Sequence, residues 1–587
     1  MDCFYSSEKQ EMSIIDRLQK IILPEKTRNG TFFGDIEESM AAVQGHLDRL
    51  KNMELFVVDN SLRETTVASL RAHTIENKRA IYEEIKKCGF KYFVVESFNN
   101  QARIGDLFLK ELIEKGEDLS NAFAFSELWE SIVDKVPQPD IPIGLQKCKK
   151  FGINNVFLEF DLVYYKIDYE KMNMDEVCKY LKKKIDWIRA NLSENSLILL
   201  NFRDFTATML QHPERVRHMV NYLASLPKKE RILGVAFEDL GAGIPEQLAA
   251  WTRAVKNEME RCGWRDGQLL FHQHEQWGLM HSANLQVLAS GATGMWAGLC
   301  IEGASLGHAD TCTAILNLIK LGNQAVQKQY NCTYLRDAAI NVTKAVTGGV
   351  KPNPKQPVYG DRATDMVYGF IFSDPTAKGG FNMADFLGVK SEVRITSMAN
   401  DEMILLKLKD VFGEDPQFTL EIVGKMKEQM LKNATDGRKE EYNSKIGLAM
   451  LFDQAGGKMT KEMADIIAEA NKASSFINTL IAEIKVEFDE WDGRGGEEID
   501  DQLTFDHFYT GFMSPYFGCY RCKDTQQGLR ALDMDSDGMI DWFEFRHFLL
   551  WAGRQHPNVK TSQELLDIAF RDGLIPAMKD EMDKLEF

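Results

Sequence analysis

Eight short apolar runs recur between residues 54 and 299, and their alternation with helical segments constrains the fold more than any other feature. They read ELFVVD (54–59), KYFVVES (91–97), NAFAF (121–125), NVFLEF (155–160), LILLNF (197–202), ILGVAF (232–237), QLLFHQH (268–274) and GMWAGL (294–299). Each has strand length and is rich in aliphatic, β-branched or aromatic side chains. Most are followed by a stretch of helical period, such as VASLRAHTIENKRAIYEEIKK or PEQLAAWTRAVKNEME. Strands that alternate with helices build parallel sheets, because each crossover returns the chain to the same end of the sheet. Eight such units over about 250 residues predict an α/β fold, a (β/α)8 TIM barrel, placed here at residues 51–325.

In such a barrel the chemistry lies where strands end and loops begin. The unusual polar residues of this chain fall there: Asp59 to Glu64, Glu96, Glu238 with Asp239, and His272 with His274. Residues i and i+2 of a strand face the same side, so His272 and His274 can present ring nitrogens to one metal ion.

Around the barrel three further regions are expected. Residues 1–50 hold two amphipathic patterns, IIDRLQKII and IEESMAAVQGHLDRL, and predict an N-terminal helical extension. Residues 326–440 mix helices with the turn-rich TGGVKPNPKQPVYGDRATD and predict a helical linker subdomain. Residues 441–587 are helical and acidic, an all-α domain built around one diagnostic loop.

That loop is DMDSDGMIDWFE, Asp533 to Glu544, an EF-hand pattern. Ca2+ takes six to eight oxygen ligands. Asp533, Asp535 and Asp537 offer carboxylates, Met539 its carbonyl, Asp541 an oxygen acting through water, and Glu544 a bidentate carboxylate. Gly538 permits the sharp turn, and Ile540 is set to pair with a partner loop. Asp453, Asp492, Asp533 and Asp572 follow one another at 39, 41 and 39 residues, a regularity resembling a four-hand array in which only the third loop kept its ligands. A plain helical tail with one orphan hand is the alternative.

Charge and cysteine usage narrow the partners. Acidic residues outnumber basic ones 88 to 70, for a net charge of -18. That balance argues against nucleic acid and anionic membrane surfaces and suits cations. The first twenty residues carry charges throughout, no run is apolar enough to span a bilayer, and the ten cysteines are scattered. A cytoplasmic protein with reduced thiols is expected. One CxxC motif, Cys519 and Cys522, stands without the two further ligands a structural zinc site needs nearby.

The strand-end motifs resemble those of the HMG-CoA-lyase-like, or pyruvate carboxyltransferase, domain of the DRE-TIM metallolyases, over about residues 50–325. VVDNSLRETT stands where that family has D-x-T-L-R-D-G, VVESF supplies a second-strand Glu, EDLGAGIP matches D-T-x-G-x-G-x-P, and HQHEQWGLMHSAN matches H-x-H-D-x-x-G-x-A-x-A-N. The resemblance implies that Arg63 stabilises an enolate, that Glu96 orients Arg63 or water, and that Glu64, His272 and His274 hold a divalent metal: Mg2+, Mn2+ or Zn2+. Glu64, Glu238 and Glu275 occupy positions of family Asp residues, and His308 in GASLGHADT is the nearest counterpart of a family Asn ligand. Cys300 is the counterpart of a lyase loop cysteine, and Asp365 stands where the synthase branch has His.

The implied activity is that of a metal-dependent lyase, aldolase or acyltransferase acting on a small-molecule α-keto acid or acyl thioester, in a chain able to dimerise with itself. Three alternatives stand beside it. The histidines are relics of a lost site; Arg63 and Glu96 are a structural ion pair; the chain is a Ca2+ sensor or scaffold on an inactive barrel, with a Ca2+-dependent protein partner.

Overall fold

The computed structural model describes residues 31–66, 73–98, 103–163, 167–303, 306–364, 366–367, 381–390, 392–396, 399–436, 442–494, 500–533, 537–556 and 559–574. The chain divides into two compact units, Met1–Asp365 with Pro375–Glu392, and Met366–Asp374 with Val393–Phe587. The pattern IIDRLQKII lies outside the described residues.

In the first unit all eight expected runs are strands: β1 Phe56–Asp59, β2 Tyr92–Ser97, β3 Ala122–Glu127, β4 Asn155–Asp161, β5 Ile198–Arg203, β6 Gly234–Asp239, β7 Gln268–Gln273 and β8 Gly294–Ala297. They pair in sequence order, and β1 joins β8 in parallel register, Val58 opposite Trp296, to close the barrel. The intervening helices have strong local signals. Thr74 forms a capping box with Asn77 at the start of Ile75–Cys88, which Gly89 ends at φ 77°. Asn173 does the same with Glu176 for Met174–Asn191.

Period-two geometry decides what the barrel presents at its mouth. Val58, Val94, Phe125, Phe157, Leu199, Ala236, Leu270 and Trp296 form a buried cluster inside the barrel. Two residues further along, the same faces carry Asn60, Glu127, Glu159, Asn201, Glu238, His272 and Gly298, while the register shift in β2 puts Ser97 rather than Glu96 on the inner face. An apolar plug is thus capped by a polar layer at the strand ends. The outer strand faces and the helices share a larger core.

The unit is wider than the segment the alternation marks. Arg49, on helix Thr31–Asn52, donates to the carbonyls of Leu288 and Ala292, each at 2.8 Å. Helix Leu335–Thr347 packs on Ile75–Cys88, and its stripe of Leu335, Ala338, Ala339 and Val342 joins the barrel core, as does Tyr359. Residues 326–364, expected in a linker subdomain, therefore belong with the barrel.

The second unit is helical, with two cores. One gathers Met426, Leu448 and Phe452 from helices that precede Lys461–Asp492, with Phe418 from the segment leading into the first of them. The other gathers Phe488, Phe508, Phe512, Phe545 and Leu549. In it Gln502–Thr504 pairs antiparallel with Met539–Asp541, setting Leu503 opposite Ile540, both buried. No helix among the described residues is long and apolar enough to cross a membrane.

Candidate metal centre at the barrel mouth

β1 runs into the short helix Ser61–Glu64, and the first turn beyond the strand carries Glu64 inward. β7 brings His272, and His274 follows the strand's last residue, held by a bridge to His308. One donor atom from each of Glu64, His272 and His274 lies within 4.8 Å of the others, and all three residues are buried. Oε1 of Glu64 and Nε2 of His272 are 3.8 Å apart and have no hydrogen-bond partner among the described residues. Donors around one ion at about 2.1 Å lie roughly 3–3.5 Å apart, so a small closure suits this set to a divalent cation.

The remaining atoms of these side chains are fixed. Asn60 Nδ2 donates to Glu64 Oε2 at 2.8 Å, and Arg63 Nη1 lies 2.5 Å from the same oxygen. His272 Nδ1 meets the Trp296 carbonyl at 2.8 Å, and its ring stacks on the Trp296 indole at 4.1 Å. A carbonyl only accepts, so Nδ1 carries the proton and Nε2 keeps its lone pair. His274 Nε2 lies 3.4 Å from Glu238 Oε1, whose other oxygen accepts from Asn201 at 2.9 Å.

Burial and these charges set the protonation states. Burial alone would raise Glu64, but the Arg63 guanidinium together with His272, His308 and His274 outweighs it and holds the carboxyl far below its usual range. Burial pushes His272 down to about 4. It also pulls on His274, but the hydrogen bond to Glu238 and the nearby carboxylate charges raise that ring.

Arg63 and Glu96 share a cavity of about 440 Å3 with His73, Ser97, Arg103, Phe125 and Glu159, yet they are not partners. Arg63 donates to Ser97 Oγ at 3.0 Å, lies 3.5 Å from Glu159 and stacks over Phe125 at 4.6 Å. Glu96 instead faces the buried ammonium of Lys78 at 3.5 Å, where the β2–β3 register shifts. The contacts that hold Arg63 thus come from Ser97, Glu64 and Glu159 rather than from Glu96. Glu159 was not singled out in the sequence, although its place two residues beyond the plug residue Phe157 marks it. Arg203 ties Glu159 to Glu127 and Asp161 in a charged network beside Arg63.

The other family-derived positions are engaged differently. His308 is buried, and its Nε2 accepts from Gly298 N–H at 2.8 Å, close enough that a Cβ at Gly298 would lie 2.9 Å from that nitrogen. With that lone pair occupied, His308 stays outside the converging set; its ring lies 5.3 Å from that of His272, and burial pushes it down to about 3. Asp239 accepts from Gly241 and Gly243 N–H at 3.0 and 3.3 Å, and Glu275 accepts from Gly278 N–H, so both hold loops. Cys300 is buried, and Asp365 lies outside the described residues.

In the second unit, helices Lys523–Leu532 and Trp542–Gln555 flank the acidic loop. Asp533 accepts from Asp537 and Gly538 N–H at 3.1 and 3.0 Å, Gly538 sits at φ 85°, and Glu544 forms a capping box with Asp541. Asp533 and Glu544 are buried, Asp537 lies in the bend that leads to the strand Met539–Asp541, and Asp535 lies outside the described residues. At the C-terminal end of helix Lys461–Asp492, Asp489 and Asp492 converge with Asp501 within 4.8 Å. Lys485 places its ammonium on Asp489 and, at 2.6 Å, on Asp501.

No protein-family profile matches the chain, and no curated protein matches it. Among solved structures it is similar to the HMG-CoA lyase of Brucella melitensis, at 14% identity, covering 50% of this chain and 99% of that one, with a TM-score of 0.37. The HMG-CoA lyase of Bacillus subtilis follows at 16% identity, 52% and 96% coverage and a TM-score of 0.39. The carboxyl transferase domain of Rhizobium etli pyruvate carboxylase with pyruvate stands at 12%, 68% and 64%, and 0.35. The barrel assignment itself rests on the closed parallel strand order.

Proposed function

We propose that the chain is a Ca2+-binding protein whose barrel is a divalent-metal-dependent lyase, aldolase or acyltransferase acting on an α-keto acid or acyl thioester. One observation carries the enzymatic half: Glu64 Oε1 and His272 Nε2, buried, 3.8 Å apart and without a hydrogen-bond partner among the described residues, with His274 beside them. Two buried polar atoms left facing each other cost roughly 1–3 kcal/mol each unless something bridges them. Mg2+, Mn2+ or Zn2+ held by Glu64, His272 and His274 would act as a Lewis acid on a substrate carbonyl.

The protein's own groups do the rest. The Trp296 carbonyl keeps His272 in the tautomer with Nε2 free, and Asn60 holds the second oxygen of Glu64. Arg63, on the cavity wall, offsets negative charge that develops on a bound carbonyl compound. Ser97 and Glu159 keep that guanidinium pointed at the cavity.

Metal content of the purified full chain tests the reading. Wild type retains a divalent ion in addition to Ca2+, and His272→Ala loses it. An unchanged metal content in that variant ends the enzymatic proposal.

The Ca2+ half rests on the loop Asp533–Glu544, with its flanking helices, left-handed Gly538 and pairing of Ile540 with Leu503. A second reading, a Ca2+ sensor or scaffold on an inactive barrel, draws on the engagement of Glu96 by Lys78. It is favoured if the barrel takes up no divalent ion while the loop still binds Ca2+.

A further inference from the structure

The CxxC motif belongs to neither of the sites already described, though Cys522 caps the helix that leads into the acidic loop. Cys519 is exposed and Cys522 half-buried, and both are free thiols. Cys522 N–H donates to the Cys519 carbonyl at 3.2 Å, closing a turn across the motif. A turn so closed brings its first and fourth Cα atoms within about 7 Å. A disulfide spans about 4.4–6.8 Å between Cα atoms, so little backbone movement separates the two thiols from a bond.

Cys522 is also the N-cap residue of helix Lys523–Leu532. Its sulfur lies 3.0 Å from the Thr525 hydroxyl, which donates its one proton to the Cys519 carbonyl at 2.7 Å. When Cys522 ionises, that hydroxyl can turn to the sulfur. Hydrogen bonds from the Thr525 side chain and backbone hold the thiol below its ordinary range. The barrel cysteines differ: Cys148 and Cys300 are buried, and burial pushes their thiols up.

Zinc does not explain the pair. Among the described residues no third His, Cys, Asp or Glu converges with Cys519 and Cys522, whereas structural zinc takes four ligands.

We infer that Cys519 and Cys522 form a thiol–disulfide exchange site for low-molecular-weight disulfides of the glutathione class, with Cys522 attacking and Cys519 resolving. Arg521 and Lys523 flank Cys522 and suit an anionic disulfide, with Asp524 the one opposing charge beside them. The Cys522 thiolate attacks one sulfur of the disulfide; that S–S bond breaks, and the departing thiolate takes up the proton Cys522 released. The Cys519 thiolate then attacks Cys522 Sγ and expels the second thiol, which is protonated in turn. One disulfide is reduced to two thiols, and the Cys519–Cys522 pair is oxidised by the same two electrons.

Glutathione disulfide added to the full-length protein, followed by alkylation and peptide mass mapping, tests this. Wild type gains a Cys519–Cys522 disulfide and retains no glutathione. Cys519→Ser accumulates a glutathione adduct on Cys522, and Cys522→Ser reacts at Cys519 at least about tenfold more slowly. A stable glutathione adduct on wild-type Cys522 with Cys519 still alkylatable overturns the inference, as do equal rates in the two variants. The pH dependence of wild-type Cys522 alkylation needs no substitution: half-reaction below the range of an ordinary thiol supports the inference, and at or above that range refutes it.

Discussion

Glu64 Oε1 and His272 Nε2 face each other 3.8 Å apart in the barrel interior, each buried and each without a hydrogen-bond partner among the described residues. A divalent ion between them would satisfy both. Asn60 does not join this set but fixes the other oxygen of Glu64. Asn60→Ala is expected to weaken binding of the barrel metal by about 10–100-fold, as removal of a ligand-orienting partner does. Competition with a metal-sensitive dye measures it, with Ca2+ in excess so that the Asp533–Glu544 loop does not compete.

Protonation of His272 gives a pH dependence with a definite sign. Its folded value lies near 4, below the ordinary histidine value of about 6.5. Between those values the unfolded chain binds more protons, so the stability it contributes is present above about pH 6.5 and is lost as pH falls towards 4. The full effect is on the order of 3 kcal/mol for such a buried ring. Glu159 and Asp59, both raised to about 7 by burial, act with the opposite sign. Urea denaturation of metal-free wild type and His272→Gln at pH 7 and pH 5 isolates the histidine. The gap between the two proteins should shrink at the lower pH.

Lys78 and Glu96 are both buried, and burial lowers the Lys78 ammonium against the pull of Glu96. Removing one partner strands a charge in the interior. Glu96→Gln is expected to cost about 3–5 kcal/mol in denaturant unfolding, and Lys78→Met in the same chain to restore most of it. A stability unchanged in Glu96→Gln would return this carboxylate to a purely chemical role.

Glu544 is the loop's twelfth residue and its bidentate candidate. Calorimetric titration of Glu544→Gln should show Ca2+ affinity lowered by at least about tenfold, with the helices intact by circular dichroism. Leu503→Asp, placing a charge opposite Ile540 in the buried ladder, should lower affinity without touching a ligand.

The barrel was legible because its signal is repeated eight times: every apolar run became a strand, and the strand ends delivered Glu64, His272 and His274 to one place. What pairwise reading missed depends on side-chain direction across elements. Nothing in the order of residues says that Lys78, on a helix, takes Glu96 from Arg63, or that Gly298 N–H occupies the lone pair of His308. Glu159, Asn201 and Arg203 obey the same strand-end rule as His272 but belong to no motif, so a motif search passes over them. The start of the second unit was displaced for a different reason, since the amphipathic stripe of Leu335–Thr347 does not reveal which core it will join.

Lys485, reaching Asp501 at 2.6 Å and Asp489 beside it, gives these carboxylates a positive charge that is covalently part of the chain. The acidic group beside the Asp533–Glu544 loop is thus neutralised in part from within the chain. A cation entering between Asp489, Asp492 and Asp501 would have to displace that ammonium. The Asp533–Glu544 loop would answer calcium alone, along a simple hyperbola with no steepening from a neighbour.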